Sequence, residues 1–275
     1  MKKIKIICDG IADIPQNLNH VERLPLRLLL GGKEYYDGVD ITPEEFHKLL
    51  KETDEVAKTS QVTYAQFLEI FEKYVDEGYE ILYIGGSSVA SGTFQSARLA
   101  SIDLPDGSIH LIDSMNLSIG IGLLVLKANQ LVEEGKSIEE IISKIEELKN
   151  KVNILFTVDT LDYLYKGGRI SGAKAKIGTV LKVKPLLSVK DGLAQMISQC
   201  RGKKQAINKM TEFVKENYSE NQEIIIAYGD NLKEALKLKD LLIEFIPEEK
   251  IIMIELGASI CSHSGSQVFG LSFLN

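Results

Sequence analysis

The chain has 275 residues, a net charge of −7, 44% hydrophobic residues and 26% charged residues, an ordinary balance for a globular protein. Its length suggests two domains, and its acidity gives no global reason to expect nucleic acid or an anionic surface as partner. Cys8, Cys200 and Cys261 are odd in number and lack C-x-x-C spacing, so neither a zinc site nor a disulfide framework follows. No apolar run approaches the ~18 residues of a membrane span, and the stretch after Met1 is too short for a signal peptide. The expected compartment is the cytoplasm.

In chain order, Lys3 to Cys8 reads as a first strand ending at Cys8-Asp9-Gly10. Leu24 to Leu30 and Lys33 to Tyr36, divided by Gly31-Gly32, read as a hairpin or two short extended pieces. Thr42-Pro43-Glu44-Glu45 combines an N-cap, proline at the first helical position and a capping box. A polar loop, Lys58-Thr59-Ser60-Gln61, precedes a second helix that starts at Thr63, with Gln66 three residues on. Phe67, Ile70, Phe71, Tyr74 and Val75 give that helix its apolar face. Glu80 to Ile84 is the next strand, Ser108 to Ile112 the one after, followed by helices over about Leu117–Glu134 and Ile138–Lys149. Alternating strand and helix predicts a mainly parallel sheet over residues 1–150.

The pattern changes near Lys149-Asn150-Lys151, where the domain boundary is placed. Over 151–275 the strands are Val152–Val158, a hairpin of Leu181–Val189 and Leu193–Cys200 around Asp191-Gly192, Glu223–Tyr228, Lys250–Glu255 and Val268–Leu274. Helices are expected over Lys203–Asn217 and from Asn231, with Glu234 as its cap partner, to about Phe245. Gly257 to Gly265 reads as a loop. The second half is therefore a mixed α/β domain.

Gly85 to Gln95 is a Gly/Ser/Thr-rich turn between a strand and a helix. Hydroxyls and free helix N–H groups suit a carboxylate or phosphate, and the same residues suit a loop that caps its own helix. Asp9, Ser87/Ser88 and Asp113/Ser114 end three strands and are expected at one sheet edge, where ligands of parallel sheets bind. Arg169 follows two glycines and could hold a carboxylate or phosphate, or stand in a surface turn. His263, among small residues, could donate to an anion, act as a base, or be structural. A hydrolase triad of Ser91 or Ser88 with His263 and Asp9 or Asp113 has its residue types present, but lacks G-x-S-x-G. Walker and dinucleotide fingerprints are absent, and no metal-ligand spacing occurs. Arg201, Lys203 and Lys204 form a basic cluster that is either a docking patch for an acidic partner or a solvated helix start.

Taken together, Cys8 to Pro15, Thr59-Ser60-Gln61, Gly85 to Ala97, Leu161 to Ser171, Lys184-Pro185, Asp191-Gly192, Arg201 with Lys203-Lys204, and His263-Ser264-Gly265 give the chain its likeness to a family. In this order the set resembles the DegV family of bacterial fatty-acid-binding proteins, the lipid-presenting subunits of the fatty acid kinase system. The resemblance implies two α/β domains, 1–150 and 151–275, with a long-chain fatty acid bound at their interface. It also implies a non-enzymatic carrier, without cofactor or metal, that hands its ligand to a separate ATP-dependent kinase for acyl-phosphate formation. Carried onto this sequence, the ligand set is Thr59, Ser60, Ser91, Gly92, Thr93, Arg169, His263 and Ser264, with Thr59 and Ser91 on the carboxylate. Arg201, Lys203 and Lys204 become the kinase-docking cluster, and transient contact with a membrane surface fits a lipid carrier. Two positions depart from the family pattern: Gly10 stands where Ser is usual, and Ser266-Gln267 where Pro-Gly is usual.

Overall fold

The computed structural model describes residues 3–53, 56–171 and 183–275. In order, the first half contains β1 (Lys3–Asp9), β2 (Val21–Leu24), β3 (Arg27–Leu30), β4 (Lys33–Tyr36), α1 (Pro43–Glu52), β5 (Lys58–Ser60), α2 (Tyr64–Asp76), β6 (Tyr79–Gly85), α3 (Thr93–Ser101), β7 (Ile109–Asp113), α4 (Ile119–Glu133) and α5 (Ile138–Leu148). The second contains β8 (Val152–Thr157), α6 (Asp162–Gly167), β9 (Lys184–Lys190), β10 (Leu193–Cys200), α7 (Lys203–Asn217), β11 (Ile224–Tyr228), α8 (Leu232–Leu242), β12 (Ile251–Glu255), α9 (Ala258–Ser264) and β13 (Phe269–Leu274). Leu181, the expected start of the first hairpin strand, lies outside the described residues.

Three helices begin where local chemistry dictates. Thr42 with Glu45, Thr63 with Gln66 and Ser137 with Glu140 each form a reciprocal capping box that occupies N–H groups the helix leaves unpaired. One sheet runs β2-β1-β6-β7 and is parallel throughout. The other runs β10-β9-β8-β13-β11-β12, antiparallel except for the β11–β12 pair. A three-stranded antiparallel sheet, β4-β3-β5, joins the β3–β4 hairpin to β5.

Three local expectations are corrected. Lys58 to Ser60 is not a loop but β5, because its backbone pairs with β3. Its residues lack an apolar run, so the strand exists by pairing alone. Gly257 to Gly265 is not a loop either: it contains α9, whose start is held by carboxylates distant in sequence. Asn231 stands at the head of α8 without capping it. Its side chain makes no cap bond, and the Glu234 N–H goes to the Asn231 carbonyl instead, at 3.0 Å.

Helix α4 lies between the two large sheets, packing on β1 and β6 on one side and on β8, β11 and β13 on the other. That position explains why it is buried almost all round, where a surface helix would show one apolar stripe. Nearby, a second core cluster joins Leu28, Phe46 and Leu123 from the first half to Leu187, Ile225 and Val268 from the second.

Candidate functional site

The polar strand ends come together at the carboxyl edge of the parallel sheet. Asp9 ends β1 and is fully buried. Its Oδ2 accepts from the Tyr83 hydroxyl at 2.5 Å and the Gly86 N–H at 3.2 Å, and its Oδ1 accepts from the Ile11 N–H at 2.9 Å. Burial raises the Asp9 pKa and pushes the Tyr83 phenol well above its usual range. Asp9 is thus the knot that fixes the start of the Gly85–Gln95 loop. Farther along, the Ala90 and Ser91 N–H groups both reach the Ser87 carbonyl at 3.1 Å, which tightens the turn.

Ser91 satisfies part of each reading of this loop. Its Oγ accepts from the Thr93 N–H at 3.2 Å and donates to Thr93 Oγ1 at 3.0 Å, so it supports the start of α3. Ser91 also lines a cavity with about 890 Å³ of empty space, part of it open to solvent. The cavity lies between the two large sheets, and its wall is chiefly aliphatic: Ile11, Leu26, Ile119, Ile154, Leu164 and Val189 are representative.

Among the expected ligand residues, Thr59, Ser91, Arg169, His263 and Ser264 line this cavity. Ser60 is exposed, as strand alternation places it opposite Thr59. Neither Gly92 nor Thr93 reaches the cavity wall. Thr93 is buried beneath Ser91, and Gly92 packs on Gln61, where a Cβ would come within 2.1 Å of Oε1. Gln61 in turn donates to Ser96 Oγ at 3.0 Å, tying the Thr59-Ser60-Gln61 segment to α3.

Thr59 and His263 meet directly, Oγ1 to Nε2, at 2.9 Å. Burial first, and then the Arg169 charge, lower the His263 pKa to about 4, so the ring is neutral at pH 7. Arg169 is pinned by its backbone: its N–H reaches the Leu164 carbonyl and its carbonyl accepts from the Ala194 N–H, both at 3.0 Å. Its guanidinium donates to the Gly167 carbonyl, and burial lowers its pKa. Gly167 also makes room for His263, since a Cβ there would sit 2.5 Å from Nδ1. One hydroxyl, one neutral imidazole and one guanidinium are thereby grouped at the wall of an apolar cavity. Such a group can hold a carboxylate without fully neutralising it.

The hydrolase constellation is not assembled. Asp9 is committed to Tyr83, Gly86 and Ile11, and Asp113 accepts from the Ser88 and Met115 N–H groups. Of the charged side chains, Arg169 is the one that shifts His263, and a cation there opposes the imidazolium a general base must form. Among the described residues no group of three or more His, Cys, Asp or Glu could hold a metal ion. The three cysteines are buried and free, and among the described residues no helix is long and apolar enough to cross a membrane.

Sequence reasoning missed Ser118 and Ser259, which also line the cavity, and the network behind them. Ser118 has a left-handed backbone (φ 50°) and donates to Asp13 Oδ2 at 2.6 Å. Asp13 and Asp37 hold the start of α9, and Asp37 pairs with Arg23 at 2.9 Å. Only Asp13 carried a signal, as part of the Cys8–Pro15 segment.

The family profile "Uncharacterised protein, DegV family" matches residues 3–275. A DegV domain-containing protein of Clostridium acetobutylicum is 39% identical over 280 residues, covering 100% of this chain and 99% of that protein. A DegV family protein of Thermus thermophilus, described as fatty acid binding, superposes with a TM-score of 0.91 at 32% identity over 99% of both chains. The Fatty Acid Kinase (Fak) B3 protein of Streptococcus pneumoniae, solved loaded with linoleic acid, gives a TM-score of 0.87 over 99% of both chains. At 22% identity that last likeness is one of fold alone. With a profile match running from the first strand to the last residue, this chain belongs to the DegV family.

Proposed function

We propose that this protein binds a long-chain fatty acid and presents it to a separate ATP-dependent kinase, acting in the cytoplasm as a carrier and not as a catalyst. In this reading residues 1–150 form the lobe bearing the head-group loop, and 151–275 contribute the acyl-chain pocket. The carboxylate is held by the Thr59 and Ser91 hydroxyls, with Arg169, His263 and Ser264 beside it.

The observation that carries the proposal is the cavity: about 890 Å³, aliphatic over most of its wall, with Thr59, His263 and Arg169 grouped on it. Burying ~15 methylenes at ~0.8 kcal/mol each gives a gross gain near 12 kcal/mol, opposed by ordering of the flexible chain. The tail then dominates affinity, and the polar group sets orientation. A phosphorylated metabolite would use the same polar group but would leave most of this wall without a partner.

Protein purified from a bacterial host should carry fatty acid, detectable by solvent extraction and mass spectrometry. A delipidated, folded sample that neither carries nor takes up palmitate or oleate would end the proposal.

A further inference from the structure

Helix α9 supplies Ser259, Ile260, His263 and Ser264 to the cavity wall, yet nothing local holds it. It has seven residues, its N-cap is Gly257, and it has no side-chain cap of its own. An isolated helix of that length does not form in water. Its first N–H groups are met instead by carboxylates from the other half of the chain. The Gly257 N–H donates to Asp13 Oδ1 at 2.9 Å, Ala258 to Asp37 Oδ1 at 3.0 Å and Ser259 to Asp37 Oδ2 at 3.2 Å.

Both carboxylates are themselves fixed. Asp13 is 6% exposed and accepts from Ser118 Oγ, a cavity residue, through its second oxygen. Asp37 is 2% exposed and pairs with Arg23, which also grips the Ala12 and Gly10 carbonyls at 3.0 and 3.1 Å. Charge-assisted bonds shielded from water are strong and directional, so α9 has one permitted seat.

We propose that Asp13 and Asp37 are positioning residues for the polar group of the cavity: they hold the start of α9 and so set where His263 stands against Thr59. The seating of His263 is independent of what the cavity binds. The consequence for binding rests on the fatty-acid reading.

The test compares Asp13→Ala, Asp13→Asn and Asp37→Ala with Leu238→Ala, a core truncation on α8 in a cluster that does not line the cavity. Two quantities are read: titration of the His263 Cε1 proton by NMR in delipidated protein, and affinity for cis-parinaric acid by fluorescence. In the parent, burial and then the Arg169 charge lower the His263 pKa to about 4. In both Asp→Ala variants that midpoint should rise by about one pH unit or more, as the ring gains access to water. Probe affinity should fall about ten-fold, the effect of losing one hydrogen bond to a charged group. Asp13→Asn should restore both readouts, since its Oδ1 still accepts from Gly257 and its amide can donate to Ser118. Leu238→Ala should lower the melting temperature and leave both in place. Should Asp37→Ala not fold, with Arg23 left unpaired, the Asp13 pair decides. An unmoved His263 midpoint in Asp13→Ala, or an equal shift in Leu238→Ala, overturns the proposal. A parent protein that binds no probe rejects the fatty-acid reading, and the titration still judges the positioning role.

Discussion

The direction of the Thr59–His263 bond decides what Thr59 offers a ligand. With the proton on Nε2, the ring donates to Oγ1 and the threonine hydroxyl is free to donate to a carboxylate. With the proton on Nδ1, Oγ1 donates to the ring and the hydroxyl is occupied. A bound carboxylate favours the first arrangement because it supplies the acceptor. The Ser91 hydroxyl, which donates to Thr93 Oγ1 in the absence of ligand, must turn its proton to the carboxylate to do the same. On that basis Thr59→Val and Ser91→Ala should each weaken fatty-acid binding roughly ten-fold, measured by competition with a fluorescent fatty acid. Unchanged affinity in both would remove these hydroxyls from the site. His263 also makes stability depend on pH. Its folded pKa of about 4 lies below the ordinary 6.5, so the unfolded chain takes up the proton first as pH falls. Above pH 6.5 this imposes no penalty. Between 6.5 and 4 the delipidated protein should lose on the order of 3 kcal/mol on this account. His263→Gln should flatten that part of a denaturant-midpoint against pH profile, and loading with fatty acid should shrink the loss by placing an anion beside the ring. Arg169 and His263 were legible as candidates because a guanidinium after two glycines and an imidazole among small residues are visible in sequence, whereas Thr59, in a plain polar stretch, entered only through the family resemblance. Their meeting was not legible, since 204 residues separate Thr59 from His263 and α9 has no local signal.

Helix α4 shows what sequence periodicity can and cannot convey about an element. Its extent was readable from an apolar run stopped by Gly135, but its place between two sheets was not, because a helix apolar all round has no face to assign. The two glycines in its first turns mark that place. A Cβ on Gly122 would lie 2.2 Å from the Asp13 carbonyl oxygen, which is backbone and cannot yield. On Gly120 it would meet the Ile154 Cδ1 at 2.3 Å, the tip of a side chain that can rotate. Alanine has a helix-propensity advantage over glycine of about 1 kcal/mol. At Gly122 the overlap should outweigh it, so Gly122→Ala should destabilise by about 1–3 kcal/mol in urea unfolding. Gly120→Ala should come out closer to neutral. Equal effects, or a stabilised Gly122→Ala, would mean that α4 is not clamped against Asp13. The capping boxes at Thr42, Thr63 and Ser137 lie at the opposite extreme: each is complete within four residues, so sequence alone places it. Strand β5 and helix α9 escaped because their partners are remote.

At the scale of the molecule, the alternation of strands and helices made both sheets readable, while the shared core hid how closely the halves depend on each other. Leu274, the next-to-last residue, packs into the cluster of the first sheet, and Leu123 into the cluster with Ile225 and Val268. The surface carries a different kind of information. Helix α7 begins at Lys203-Lys204, with Gly202 as its N-cap between them and Arg201, no side-chain cap and no acidic residue in its first turn. Cations near the positive end of a helix are unfavourable by about 0.3–1 kcal/mol each. Lys203 is partly offset by its bond to Gln267 Oε1 at 3.2 Å, whereas Arg201 and Lys204 are exposed. Local stability therefore does not account for this arrangement, and an acidic partner surface would satisfy both the cations and the free N–H groups. Arg201→Glu with Lys204→Glu separates stability from docking because the two effects have opposite signs. The reversed charges should raise the melting temperature slightly, leave fatty-acid affinity unchanged, and lower the rate at which a fatty acid kinase phosphorylates the bound acid by ten-fold or more, most strongly at low salt. A variant with a higher melting temperature and an undiminished phosphorylation rate would show that the kinase docks elsewhere. A lower melting temperature would show that Arg201 and Lys204 serve the fold.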